Sequence, residues 1–379
     1  MMKKIFNLFI TLLIIFSCTT SNGKKFVGTG TDCMKTIQYK KWHVSEPVFE
    51  KGPAGSFDEI SVKDPSIVFY NKRYHMFYTT ITGRETRQRT SFLSKGGAGL
   101  GYVSAESIEK LNEAERFSLS EIHKSVIIAP QVFYFEPQKL WYIIAQTASE
   151  GRPDLQPVFM TNSDIENVYG WSKPEIIKTR KSNNGFWIDF WVICDDIKAH
   201  LFYTDHEGSL FRFECPIDEF PTGYADKREE TVLTERGENE IGRWRLHEAS
   251  HIYYVKSCNK YLNILEAVYP HPTRRYYWES RNRFLFAMMA EKLEGPWERV
   301  ESGSNEFFGD PSNLISTDGR KSVYDQVSHP ELIRSGYNQK LEIDDLNLQL
   351  IFQAFDADTI KSDYDYSFLP WKLMIMKNY

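Results

Sequence analysis

A hairpin opened by a polar or charged residue recurs five times along this chain, and a repeat of that period limits the folds open to it. Asp64 precedes an apolar run over residues 65–70, and a second run over 74–81 follows a polar turn. Gln131 precedes 132–135, with a turn at 136–139 and a return over 140–146. Asp189 precedes 190–194, with a turn at Asp195-Asp196 and a return over 200–204. Glu248 precedes 249–255, with a turn at Ser257-Cys258-Asn259 and a return over 261–268. His329 precedes Leu332-Ile333, and after a longer turn the chain returns over 348–355. The five leading residues stand 67, 58, 59 and 81 positions apart. A minimal four-stranded blade takes about 40–50 residues, so these spacings fit blades with generous loops. The expectation is an all-β protein, a five-bladed β-propeller. Each leading residue then sits at one end of an innermost strand, and all five converge on one mouth of the central channel. A β-sandwich with fortuitous spacing is the competing architecture.

Composition agrees with strands. Aromatic residues make up 15% of the 379 residues, and aromatics favour strands. Short runs separated by turn residues fill the chain beyond residue 57, with no amphipathic helix of convincing length. The net charge of −5 carries no nucleic-acid signature.

The N-terminus has a different character. Lys3 and Lys4 form a basic end ahead of an apolar run over residues 5–16, in which only Asn7 and Thr11 are polar. The run is too short to span a bilayer and reads as the core of a signal peptide. Ile15-Phe16-Ser17-Cys18 then reads as a lipobox. The expected organisation is a lipoprotein-type signal peptide over 1–17, a tether over 18–38 lipidated at Cys18, and a catalytic propeller over 39–379. That places the protein outside the cytoplasm, anchored to a membrane by lipid alone. Ordinary secretion with a chance cysteine is the alternative. Cys33, Cys194, Cys215 and Cys258 remain. Four cysteines allow three pairings, and the sequence does not choose among them. Cys194 lies in an apolar run and reads as a buried free thiol. Their spacing matches no zinc site.

Three of the five leading residues are carboxylic acids: Asp64, Asp189 and Glu248. Glycoside hydrolysis needs two carboxyl groups in different protonation states. One stays ionised to activate water. The other keeps its proton, which requires burial or neighbouring negative charge. A third carboxylate between them supplies that charge. Singly these acids are weak signals, since an Asp-Pro pair commonly marks a turn. At equivalent positions of a repeat they carry more weight.

The motifs around them resemble glycoside hydrolase family 62, the α-L-arabinofuranosidases, and more loosely the five-bladed propeller hydrolases that include family 43. The matching stretches run in order along the chain. They include Lys63-Asp64-Pro65-Ser66, Pro130-Gln131-Val132-Phe133, Gly170-Trp171-Ser172-Lys173-Pro174, Asp189-Phe190-Trp191-Val192, Glu248-Ala249, Glu266-Ala267, Ser328-His329-Pro330-Glu331 and Ser335-Gly336-Tyr337-Asn338-Gln339. The resemblance implies Asp64 as the general base, Glu248 as the general acid and Asp189 as the modulator of the acid's pKa. It implies an inverting mechanism releasing terminal arabinofuranosyl side chains from a plant-type polysaccharide such as arabinoxylan. Lys63, Trp187, Tyr337, Asn338 and Gln339 match positions expected to line the sugar pocket. His329 matches an axial histidine beside a structural calcium ion. No organic cofactor is implied, and a monomer is expected.

The chain departs from the family pattern in places. His247 precedes Glu248 where a bulky apolar residue is usual, and a protonated His247 would favour the ionised form of the acid. Alternation along a strand would turn it to the opposite face. Pro330 stands where a glycine is usual. Arg274, Arg275, Tyr276, Tyr277, Trp278, Arg281 and Arg283 crowd residues 269–286, as suits either an acidic glycan or a salt-bridged rim. Two alternatives stay open. One is another specificity on the same scaffold, such as a β-xylosidase, an arabinanase or a galactosidase-like enzyme. The other is a non-catalytic glycan-binding lipoprotein.

Overall fold

Five sheets follow one another along the chain in the computed structural model, as the fivefold recurrence requires. The structure describes residue 33 and residues 41–83, 97–148, 155–181, 186–235, 244–269, 283–300, 308–324, 326–356, 358 and 368–379. The signal segment 1–17, Cys18 and, apart from Cys33, the tether 18–38 lie outside the described residues, as do Arg274, Arg275, Tyr276, Tyr277, Trp278 and Arg281.

Blade 1 pairs Ser61–Tyr70, Arg73–Ile81, Ala98–Ala105 and Arg116–Ser118, in that order outward from the axis. Blade 2 pairs Ile128–Phe135, Leu140–Ala148, Leu155–Asn162 and Glu175–Ile176. Blade 3 pairs Ile188–Cys194, Lys198–Thr204, Ser209–Pro216 and Glu230–Thr234. Blade 4 pairs Arg245–Val255, Lys260–Val268, Arg283–Ala290 and Glu298–Arg299, and Glu342–Ile343 lies parallel to its innermost strand. Blade 5 joins both ends of the described chain. Ser328–Leu332, Gln349–Ala354 and Lys372–Lys377 are completed by Trp42–Val44 and then Leu314–Ser316. Pairing the first described strand with the last closes the ring.

Each innermost strand breaks register at the same point. The shifts fall between Lys63 and Ser66, Ile128 and Gln131, Ile188 and Trp191, Glu248 and Ser250, and Ser328 and Glu331. Inside each β-bulge one residue is left-handed: Asp64 (φ 48°), Ala129 (48°), Asp189 (57°), Ala249 (51°) and His329 (43°). A bulge re-aims side chains and is common beside active sites. The equivalent head positions therefore include Ala129 and Ala249, not the expected Gln131 and Glu248. Gln131 lies two residues deeper and Glu248 one residue earlier.

The bulges are latched from the preceding blade. The N–H groups of Asp64, Ala129, Asp189 and His329 donate to Gln353 Oε1 (2.7 Å), Thr79 Oγ1 (2.7 Å), Gln146 Oε1 (3.0 Å) and Glu266 Oε2 (2.8 Å). All four acceptors hold the same place on a second strand, opposite the residue before the bulge. Thr204 occupies that place in blade 3, opposite Ile188. Yet Ala249 N–H donates to Asp189 Oδ2 instead (3.1 Å), and the buried Thr204 hydroxyl has no partner among the described residues. The fivefold rule is broken where a carboxylate of the mouth takes the bond.

Two residues past each head lies a second ring: Ser66, Gln131, Trp191, His251 and Glu331, all buried. Gln131 exchanges two bonds with the Val192 backbone (2.7 and 2.8 Å). Trp191 Nε1–H donates to Ile252 O (3.1 Å), and Val132 N–H donates to Ser66 Oγ (3.0 Å). His251 stacks on Trp191 with centroids 4.2 Å apart. These side chains bridge neighbouring blades and close the axis beneath the mouth. Cys33 is bonded to Cys258, in the turn after Val255 at the far end of the axis, and Cys194 and Cys215 are buried thiols.

Candidate active site

The bulges aim Asp64, Asp189 and His329 into one cavity of about 450 Å³, which Lys63, Glu248 and Arg283 also line. Ile128, Leu155, Phe186 and Ile188 give it an apolar wall. One side is charged and one is greasy, the division a sugar with hydroxyls and a C–H face requires. His329 Nδ1 stands 3.5 Å from Asp64 Oδ1 and 3.8 Å from Asp189 Oδ2. Lys63 Nζ lies 3.9 Å from Asp64 Oδ1.

Asp189 is fixed from two sides, by Gln146 Nε2–H on Oδ1 (3.2 Å) and Ala249 N–H on Oδ2. Burial pushes its pKa well above the ordinary carboxylate range, and the charges of Glu248, Asp64 and Glu266 push the same way. Glu248 is treated oppositely. Burial alone would raise its pKa, but the Arg283 guanidinium beside it holds it well below the ordinary range. Arg283 Nη1 donates to Glu248 Oε1 and to Glu266 Oε1. Glu266 also accepts from Ser328 Oγ–H (2.9 Å) and His329 N–H, and burial lifts its pKa to about 7 despite Arg283. Glu248 Oε2 accepts from His206 Nε2 at 2.8 Å.

His247 does not turn to the opposite face. Its Nε2 lies 3.7 Å from Glu248 Oε2, because the strand leaves regular alternation between Leu246 and Glu248. Burial, then the neighbouring His206, depresses its pKa well below the ordinary imidazole value, so it adds no cation at neutral pH. The cation beside the acid is Arg283, which belongs to the site rather than to the rim.

The other expected pocket residues are scattered. Trp187 is 3% exposed and braces the wall from behind. Its ring packs edge-on against Phe190 and Tyr203, and its N–H donates to Leu155 O. Tyr337, Asn338 and Gln339 lie at the other end of the axis. Tyr337 O and Gln339 O accept from the N–H groups of Tyr134 (2.8 Å) and Cys194 (3.0 Å), each five residues past its head. The connection between Leu332 and Gln349 crosses beneath the blades there, so these residues seal the far end and do not touch the cavity. Sequence reading misses His206 and Gln146, and it names Glu266 only within a matching stretch, with no role. Asp205-His206-Glu207-Gly208 carries a turn signature only. Gln146 and Glu266 become visible once second strands are aligned by their place opposite each bulge.

Calcium takes six to eight oxygen ligands. Around the His329 ring nitrogen the described residues offer two carboxylate oxygens, both from the proposed catalytic set, and the ring below is spent on bonds between blades. A calcium ion there would take the rest of its ligands from water. His206, His247 and Glu248 bring three ligand atoms within 4.8 Å of one another, but Arg283 on the same carboxylate opposes a divalent cation.

A propeller whose blind mouth gathers three buried carboxyl groups is the framework of a glycoside hydrolase. Residues 58–377 match the model of glycosyl hydrolase family 62, and the chain belongs to that family. It is 30% identical over 332 residues to alpha-L-arabinofuranosidase C of Cellvibrio japonicus, covering 84% of this chain and 44% of that protein. The chain thus spans under half the length of this curated relative. Among solved structures, the catalytic domain of a family 62 alpha-L-arabinofuranosidase from Coprinopsis cinerea is 29% identical, with a TM-score of 0.72 over 90% of this chain and 97% of that one. An alpha-L-arabinofuranosidase of Podospora anserina in complex with cellotriose is 25% identical, with a TM-score of 0.71 over the same shares. The arabinanase of Bacillus subtilis, 12% identical with a TM-score of 0.52 over 88% of this chain and 97% of that one, shares the fold.

Proposed function

We propose that this protein removes terminal α-L-arabinofuranosyl side chains from a plant-type polysaccharide such as arabinoxylan, with inversion at the anomeric carbon. The observation that carries this reading is the convergence of Asp64, Asp189 and Glu248 on one cavity closed beneath by the ring of Ser66, Gln131, Trp191, His251 and Glu331. A blind pocket accepts the end of a chain and not its middle, which favours side-chain removal over the internal cleavage of an arabinanase. The names of the similar arabinofuranosidases supply the sugar.

In this mechanism Asp64 takes a proton from the attacking water, and Glu248, which Arg283 holds ionised in the resting site, takes up a proton on Oε2 before giving it to the departing sugar oxygen. Asp189, gripped by Gln146 and Ala249, keeps its negative charge only at a cost. It therefore resists ionisation, and its constant part is to orient through Ala249 N–H the bulge that presents Glu248; a charge on it raises the acid's pKa only in the fraction that ionises. Lys63 borders the same cavity and supplies positive charge next to Asp64. The calcium expected beside His329 has no part in these steps. An extracytoplasmic lipoprotein anchored at Cys18 is part of the same reading. The N-terminal pattern supports it, and so does the Cys33–Cys258 disulfide, a bond of oxidising compartments. That bond ties the chain to the end of the axis away from the mouth.

The test is incubation with arabinoxylan, following released arabinose and the anomer first formed by proton NMR. The expected result is arabinose appearing first as the β-anomer. Glu248→Gln should lower kcat by about 10²–10⁴-fold while sugar binding persists. Xylose as the released sugar, or near-full activity of that variant, would overturn the proposal.

A further inference from the structure

We infer that His206 is the positioning residue that caps Glu248 and passes to it the proton spent in each turnover. The inference rests on the acid role proposed for Glu248. Both oxygens of that carboxylate are engaged. Oε1 faces Arg283, which is buried and shared with Glu266. Oε2 faces His206 Nε2 at 2.8 Å, and His206 lines the cavity. The oxygen presented to a leaving group is therefore the one His206 holds.

Proton balance calls for such a residue. In a single inverting displacement the Glu248 O–H bond breaks and a new O–H bond forms on the leaving sugar. A water O–H bond breaks and one forms on Asp64. Glu248 is left without a proton and must regain one from solvent. Arg283 does not give up a proton in proteins. His247 is fully buried and does not line the cavity. Asp189 is turned toward Gln146 and Ala249. His206 alone of these joins the cavity to Oε2. A proton taken up from solvent at Nδ1, with the Nε2 proton released to Oε2, leaves a neutral imidazole in its other tautomer, so charge and atoms balance.

The placement is built. His206 sits in the turn between Lys198–Thr204 and Ser209–Pro216 at φ 60°, with Gly208 at φ 93°. Asp205 Oδ1 accepts from Glu207 N–H (2.8 Å) and Ser209 N–H (3.0 Å), fixing the turn. The ring is sandwiched between Phe186 (4.7 Å) and His247 (4.3 Å, 12° between planes). The charged and titratable groups around it come from every packed element. Arg283, Arg245, His247 and Glu248 lie about it from blade 4, Asp189, Asp205 and Glu207 from blade 3, and Asp64, Lys63 and His329 from across the cavity.

The leaving group separates proton supply from mere structure. Arabinoxylan departs as a sugar oxygen that needs a proton, whereas 2,4-dinitrophenol departs without one. His206→Ala should lose about 10²-fold in kcat on arabinoxylan and at least tenfold less than that on 2,4-dinitrophenyl α-L-arabinofuranoside. KM should stay within about threefold, and the limb of the pH profile set by the acid should move. His206→Gln keeps a donor to Oε2 with no proton to pass, and should show the same split. Equal losses on the two substrates, or an unmoved ratio and pH profile, would overturn the inference. Glu248→Gln is the control. If it shows the split and the His206 variants do not, only this inference fails. If it shows none, the acid assignment fails and this inference fails with it.

Discussion

Arg283 has one guanidinium and two buried carboxylates to satisfy, Glu248 and Glu266. Removing one partner of a buried ionic cluster leaves uncompensated charge and costs about 3–5 kcal/mol. The pH dependence of that cost has a definite sign. The folded pKa of Glu248 lies well below its ordinary value, so its pairing stabilises the fold above pH ~4.5 and is lost as pH falls through the folded pKa. Without Arg283 that stabilisation disappears, and the two carboxyls take protons instead. Arg283→Met should therefore be destabilised by several kcal/mol at pH 8 and by clearly less at pH 5, as read by urea unfolding at both values. A deficit equal at the two pH values would show that Arg283 acts through packing alone. Nothing local in the sequence marks Arg283 as this residue. It opens a strand after a stretch crowded with arginines, and only the pairing of Val268 with Arg283 brings it over Glu248.

At the scale of the element, the recurring unit is a bulged innermost strand with one left-handed residue. For an L-residue that conformation costs about 1–2 kcal/mol, and glycine escapes the cost. Ala129 has no chemistry to perform there, so it isolates the backbone term. Ala129→Gly should raise stability by up to about 1 kcal/mol, the gain offset in part by the freer unfolded chain. Ala129→Val should lower it by more than 1 kcal/mol, since a β-branched side chain at positive φ is a true outlier. Chemical denaturation of the two variants checks the pair, and the same sign for both would refute the strain argument. The same unit explains what was legible beforehand. The hairpins, their number and three acids at the mouth follow from runs and spacings. The head positions of blades 2 and 4 do not, because alanine carries no signal of a left-handed bulge. Gln131 and Glu248 are the polar residues nearby, two positions after and one before the true heads. Tyr337, Asn338 and Gln339 form a motif whose place depends on which way a long connection crosses the axis, and no local pattern encodes that.

The whole molecule is held together at its axis, where five blades meet with bonds running from each to the next. Glu331 is the acidic member of that ring. It accepts from Tyr253 O–H (2.9 Å) and Ser66 O–H (3.3 Å) and lies 3.3 Å from Arg334 Nη2, which also reaches Ile67 O and Val132 O. One carboxylate thus touches blades 1 and 4 from blade 5, and through Arg334 it reaches blade 2. Burial lifts its pKa to about 7, against the opposing pull of Arg334 and its hydrogen bonds. A raised folded pKa means that the native state binds a proton the unfolded chain has released. Its contribution is full below pH ~4.5 and is lost as pH rises toward about 7. At about 1.4 kcal/mol per pKa unit, the loss is on the order of 3 kcal/mol. The buried His247 and His251, with depressed pKa values, tilt the stability of the intact protein the other way over part of this window. The informative quantity is therefore the difference between wild type and Glu331→Gln, in which those terms cancel. That difference should shift against the wild type by about 2–3 kcal/mol between pH 5 and pH 7.5, whatever its absolute level, in guanidinium titrations at both values. A pH-independent difference would mean that Glu331 keeps its charge throughout, and that Arg334 alone sets the electrostatics of the axis.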